Sequence, residues 1–138
     1  MHTFLAFLSL SLIATTVFSE EIPRTKDGRM GTKCFPQYQG ETEEVCSVTI
    51  AQLVITPERY HGKKVMVHGE LSMHFEGTGV KSGDHKVWIQ TDDIDKYSSL
   101  EGKHVLVQGT YNGLKFGHGG MWGGAIESPS RIEFRVKM

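Results

Sequence analysis

Alternation of apolar and polar positions is the strongest regularity in the chain. In "KVMVHGELSMHF" Val65, Val67, Leu71, Met73 and Phe75 are apolar, while His68, Glu70, Ser72 and His74 between them are polar. A period of two with one apolar side predicts a strand with one buried face. Val105, Val107 and Tyr111 repeat the pattern, and Ile132, Phe134 and Val136 repeat it against Glu133, Arg135 and Lys137. Shorter strands are predicted near Val80 and over "KVWIQ". Gly69 and Gly109 stand in line with buried positions, where a glycine marks a bulge or sharp bend in a curled sheet.

Two strands share a frame. "GKKVMVHG" at 62–69 and "GKHVLVQG" at 102–109 both read G-K-x-V-x-V-x-G, and a single pair of copies points to equivalent strands of one sheet rather than to a solenoid. Ahead of them Thr49, with Gln52 three residues later, has the spacing of a capping box and predicts a short helix over 49–55. Pro57 stops its continuation, because the residue before a proline disfavours helix.

A long strand, a short second, a third at 86–90, a polar connection "TDDIDKYSSLE", then a fourth and fifth strand follow the order of an OB-fold. The expected fold is mainly β: a five-stranded OB-like Greek-key barrel over 47–138 with a short N-terminal helix. An irregular extension over 20–46 precedes it. The run from 47 to 136, with "TPERYHGKKVMVHGELSMHFEG" and "LEGKHVLVQGTYNG", resembles the small secreted bacterial proteins of OB-fold type, a largely uncharacterised group. The resemblance implies a fold and a secreted or periplasmic setting. Its motifs are structural glycines and valines, so it carries no catalytic residue across. The connection at 91–101 is short for the helix usual in this fold, and the extension from Cys34 to Cys46 is additional.

The N-terminus agrees with that setting. "MHTFLAFLSLSLIATTVFSEE" is apolar from Phe4 to Phe18, with Val17 and Ser19 at the −3 and −1 positions before Glu20, the pattern of a signal peptide over 1–19. The apolar run is too short to span a bilayer, which takes roughly 18–20 residues. No membrane span is expected after cleavage. The two cysteines, Cys34 and Cys46, are expected to form a disulfide in an oxidising compartment; C-x-x-C redox spacing is missing.

Composition narrows the function less than the compartment. The formal net charge of −1 argues against a nucleic-acid partner, whose binding surfaces are strongly basic. Ser98 and Ser99 lack a G-x-S-x-G context, and no nucleophile, base and acid assemble from spacing. Asp92, Asp93 and Asp95 lack the EF-hand frame and read as a solvated loop. Histidine and methionine could bind copper or zinc. Met66 and His68 are neighbours on one strand face, and His118 and Met121 could come together in a loop, whereas His68 and His74 lie roughly 20 Å apart.

The eleven residues "KFGHGGMWGGA" at 115–125 hold five glycines. They miss the dinucleotide fingerprint, because its third glycine falls on Trp122, and they miss the P-loop, because no Lys follows Gly123 or Gly124. The stretch reads as the connection into the last strand. With the turn at 76–79 it should flank a ligand face carrying Trp88, Phe116, His118 and Trp122. The alternative is that Trp122 plugs the barrel end. The expected function is thus a binding module for a protein partner or a small ligand, with no cofactor. A metal-binding periplasmic protein and a hydrolase are the other readings.

Overall fold

The computed structural model describes residues 33–37, 42–74 and 77–136. The segment 1–19 and residue 76 of the expected ligand-face turn at 76–79 lie outside them. Seven strands form one mixed sheet: β1 (Lys33–Pro36), β2 (Glu44–Ser47), β3 (Lys64–His74), β4 (Gly77–Ser82), β5 (His85–Ile89), β6 (His104–Asn112) and β7 (Ala125–Phe134). Their order is β1-β2-β3-β4-β5-β7-β6, and β3 also pairs with β6. The path β3-β4-β5-β7-β6 therefore returns to β3.

Side-chain alternation explains why these segments form the sheet. Val65, Val67 and Leu71 of β3, Val80 of β4, Val87 and Ile89 of β5, Val105 and Val107 of β6 and Ile126 of β7 all point into one core. Each is at most 1% exposed. The two G-K-x-V-x-V-x-G segments lie side by side, antiparallel, with Val67 opposite Val107. Helix α1 (Ile50–Ile55) adds Ile50 and Leu53 to the core, and Thr49 and Gln52 make both bonds of the capping box at its start. A second helix, α2 (Ile94–Tyr97), is a single turn in the connection between β5 and β6.

Four expectations need correction. The sheet has seven strands rather than five, because part of the 20–46 extension is not irregular: it supplies β1 and β2. Segments of four residues are too short to show a period, and their partners are distant. β2 runs parallel to the start of β3, pairing Val45 with Lys64, and β1 pairs with β2 so that Cys34 faces Cys46. Those cysteines form the expected disulfide. Second, Gly109 does sit at a register shift against β7, but Gly69 does not; a Cβ there would strike the Lys81 carbonyl and Ile50. Close approach, not a bulge, demands that glycine. Third, residues 77–79 belong to strand β4 rather than to a turn. Fourth, Phe134 and Val136 continue the alternation but are 54% and 76% exposed: Phe134 pairs with Val105 of β6, yet it and Val136 line a surface groove rather than the core.

Candidate functional site

The long connection between β6 and β7 lies over the outer face of β4 and β5. Val80, Val87 and Ile89 face the core, so Gly79 on β4 and Lys86 and Trp88 on β5 lie on the outer face. Trp122 is laid on this outer face: a Cβ on Gly79 would lie only 2.0 Å from its Cζ3 and 2.4 Å from its Cη2. At the five-membered half of the indole, a Cβ on Gly117 would lie 2.4 Å from Cδ1, 3.0 Å from Cγ and 3.1 Å from Nε1. Two glycines thus clamp the indole, which is 8% exposed. Trp122 packs on the flank of the sheet, not in the end of a barrel.

Lysines complete the clamp. Lys86 Nζ stands 4.8 Å from the Trp122 ring centroid, and Lys115 Nζ stands 5.6 Å from that of Trp88. Such cation–π contacts contribute about 0.5–2 kcal/mol each, more as they are desolvated. Lys115 is further held by Glu127 at 3.1 Å and by a hydrogen bond to Gln90 Oε1. The two indoles meet at Gly77. A Cβ there would lie 3.5 Å from Trp88 Nε1 and 3.6 Å from Trp122 Cζ2. Among the described residues, Trp122 Nε1 is a buried side-chain donor without a hydrogen-bond partner. Leaving such a group unsatisfied costs about 1–3 kcal/mol.

The base of the connection is equally fixed. The Tyr111 hydroxyl lies 2.9 Å from the Leu53 carbonyl oxygen and 2.7 Å from that of Gly123, shared between α1 and the loop exit. Burial, with Glu58 second, pushes its pKa up to about 12. The Gly113 N–H donates to His61 Nδ1 at 3.1 Å, and the Trp122 N–H donates to the Phe116 carbonyl at 3.1 Å. The loop apex between these last two is a short 3-10 turn, His118–Gly120.

The candidate ligand residues therefore take different places. Trp88 is half-buried on β5 beside the buried Trp122, whereas Phe116 and His118 are exposed on the loop. The candidate metal ligands split into two places. Met66 and His68 lie on β3 opposite Gln108 and Leu106 of β6, and His118 and Met121 lie in the loop. His68 instead stacks on His104, with ring centroids 6.3 Å apart. Partial burial first, then His104 and Arg135, hold the His68 pKa below the usual histidine value. Among the described residues no three His, Cys, Asp or Glu side chains are grouped to hold a metal ion.

Sequence reasoning missed Lys86 as part of this face, and it placed Gly77 and Gly79 in the flanking turn at 76–79 without seeing that they make room for the indoles. Lys86 carried a signal, since it shares the outward alternation of Trp88; the two glycines carried none. Elsewhere a groove of about 710 Å³ is lined by Glu70, Lys81, Lys103, His104, Phe134 and Arg135.

No family model and no curated protein matches the chain. Among solved structures, a Leishmania major chain labelled an aspartyl-tRNA synthetase superposes with a TM-score of 0.48 at 12% identity. The match covers 73% of this chain and 22% of that one.

Proposed function

We propose that this chain is a secreted or periplasmic binding module on an OB-like barrel, taking a protein partner or small ligand on the face made by β4, β5 and the β6–β7 loop. Support for the barrel comes from the path β3-β4-β5-β7-β6-β3. All its pairs are antiparallel except β5 with β7, a connectivity expected of a five-stranded Greek-key barrel. β1 and β2 add an edge outside it. Support for the compartment comes from the apolar start of the chain and from the disulfide.

The observation that carries the binding reading is the clamped loop. Trp122, Tyr111 and Lys115 fix its course, yet Leu114, Phe116 and Met121 stay exposed at 76%, 49% and 49%. These are three of the seven large hydrophobics exposed among the described residues, gathered on one connection. A loop positioned by a rigid scaffold and presenting apolar surface is a contact site. Binding here is by surface rather than by catalysis.

Affinity capture with the mature, oxidised protein tests this reading. The double variant Phe116→Ala/His118→Ala should weaken retention of the captured partner while leaving the melting temperature nearly unchanged. Undiminished capture by the folded variant would remove the loop from the binding surface. Intact mass of the secreted chain should start at Glu20 with the disulfide closed, and a reduced chain retaining 1–19 would argue against secretion.

A further inference from the structure

We infer that His61 is an acid-labile anchor of the β6–β7 loop, so that binding on this face is regulated by pH. The inference rests on the reading of that loop as the binding face. Successive backbone N–H groups open the loop at 113–115, and the later two are answered by the strand they leave. The Leu114 N–H donates to Asn112 Oδ1 at 3.0 Å, and the Lys115 N–H donates to the Asn112 carbonyl at 3.4 Å. The first reaches another element. The Gly113 N–H donates to Nδ1 of His61, in the turn that leads from the 3-10 turn Pro57–Arg59 into β3. That turn is stitched to the end of β6: the Gly62 N–H donates to the Tyr111 carbonyl at 2.8 Å, and the Tyr111 N–H donates to that of Lys63 at 2.9 Å. Backbone thus holds His61 in place while its side chain stays exposed to solvent.

An imidazole accepts at Nδ1 only while that nitrogen carries no proton, so the bonded ring is neutral with its hydrogen on Nε2. Protonation turns Nδ1 into a donor and sets it against the Gly113 N–H. Gly113 is buried, so its N–H loses an acceptor that water does not replace. Histidine is the side chain that changes charge in the mildly acid range. Of the charged and titratable groups on the elements around the ring, Glu58 lines the same pocket as His61, Gly113 and Leu114. Lys115 is turned to Gln90 and Glu127, Tyr60 and Tyr111 are buried in the core, and Arg59 and Lys63 flank His61 in the chain. The loop exit is held by bonds without such a group. There the Gly123 N–H donates to the Lys86 carbonyl, and the Tyr111 hydroxyl lies 2.7 Å from the Gly123 carbonyl oxygen. Acid therefore weakens the entry of the loop and spares its exit.

A pH titration of the oxidised full protein, followed in ¹⁵N–¹H spectra and at the His61 ring, tests the anchor. The Gly113 amide shift should follow the His61 ring with a shared midpoint. Its protection from hydrogen exchange, corrected for the intrinsic effect of pH, should fall several-fold in acid while that of Gly123 holds. His61→Gln keeps an acceptor that does not titrate, so it should keep Gly113 protected at neutral pH and abolish the acid response. A Gly113 amide that ignores the His61 titration, or that responds to acid as strongly in His61→Gln, would overturn the inference. Retention of the captured partner that falls equally in acid for wild type and His61→Gln would overturn it too. If Gly113 is unmoved while Phe116→Ala/His118→Ala loses its partner, the anchor falls and the binding face stands. If Gly113 titrates with His61 while that double variant captures its partner undiminished, the anchor stands and the binding face falls.

Discussion

Tyr111 and Trp122 hold the same loop by opposite means, one through a hydroxyl shared by two carbonyls and one through a ring clamped by two glycines. Tyr111→Phe should therefore lower stability by about 1–2 kcal/mol at neutral pH, measured by urea denaturation. The folded state favours the protonated hydroxyl, since its pKa is raised to about 12. Its contribution is whole below about pH 10, the ordinary tyrosine value, and is lost as pH climbs toward the folded value. The gap between wild type and Tyr111→Phe should narrow above about pH 10, and a constant gap would contradict the hydrogen-bonding role. Gly79→Ala acts on the other anchor. Its Cβ has no room under Trp122, so stability should fall by about 1–3 kcal/mol, with tryptophan emission shifted to the red as the ring leaves the sheet. Unshifted emission would mean that the ring does not lie where it is described.

At the scale of elements, α1 shows how a local signal and a tertiary one combine. Six residues are too few for a helix to be stable alone, so its capping box decides where it starts and its docked Ile50 and Leu53 decide that it exists. Thr49→Ala removes the side-chain oxygen that accepts from the Gln52 N–H at 3.1 Å. The expected loss is about 0.5–2 kcal/mol with an unchanged denaturant slope, and a loss below that range would make the cap dispensable. The last strand shows that alternation and pairing alone do not bury a residue: Phe134 pairs with Val105 of β6 and is still 54% exposed, and Val136, beyond the end of β7, is 76% exposed.

For the whole molecule, the stapled pair β1 and β2 lies outside the closed path of five strands. It is tied in by the parallel pairing with β3, by buried Val45 and Cys46, and by a reciprocal amide pair in which Gln37 and Gln108 donate to each other at 3.2 and 3.0 Å. Cys34→Ser/Cys46→Ser should cost about 2–4 kcal/mol, since Cys46 sits in the core and Cys34 packs against it, yet leave a folded β-rich domain, since most of the core comes from β3 to β7 and α1. Circular dichroism and thermal melting check both halves. Loss of the β signal at room temperature would show that the edge pair is part of the minimal fold.

Strand faces, the helix start and the disulfide partners were legible in the sequence because each depends on near neighbours or on a residue type with few alternatives. Val65 and Val67 announce a buried face by spacing alone, Thr49 and Gln52 announce a cap, and two cysteines in one chain leave one pairing within it. The glycine-rich connection was legible as a connection and as a place where tryptophan, phenylalanine and histidine gather. Its arrangement was not. That Trp122 lies on the outer face over Gly79, that Lys86 and Lys115 cover the rings, and that Gly69 makes room for Ile50 are contacts between residues far apart in sequence, which leave no local periodicity. The pairing of β2 with β3 is of the same kind. Tertiary structure decided these features because close approach is set by which elements meet, and a glycine states only that something comes near, not what.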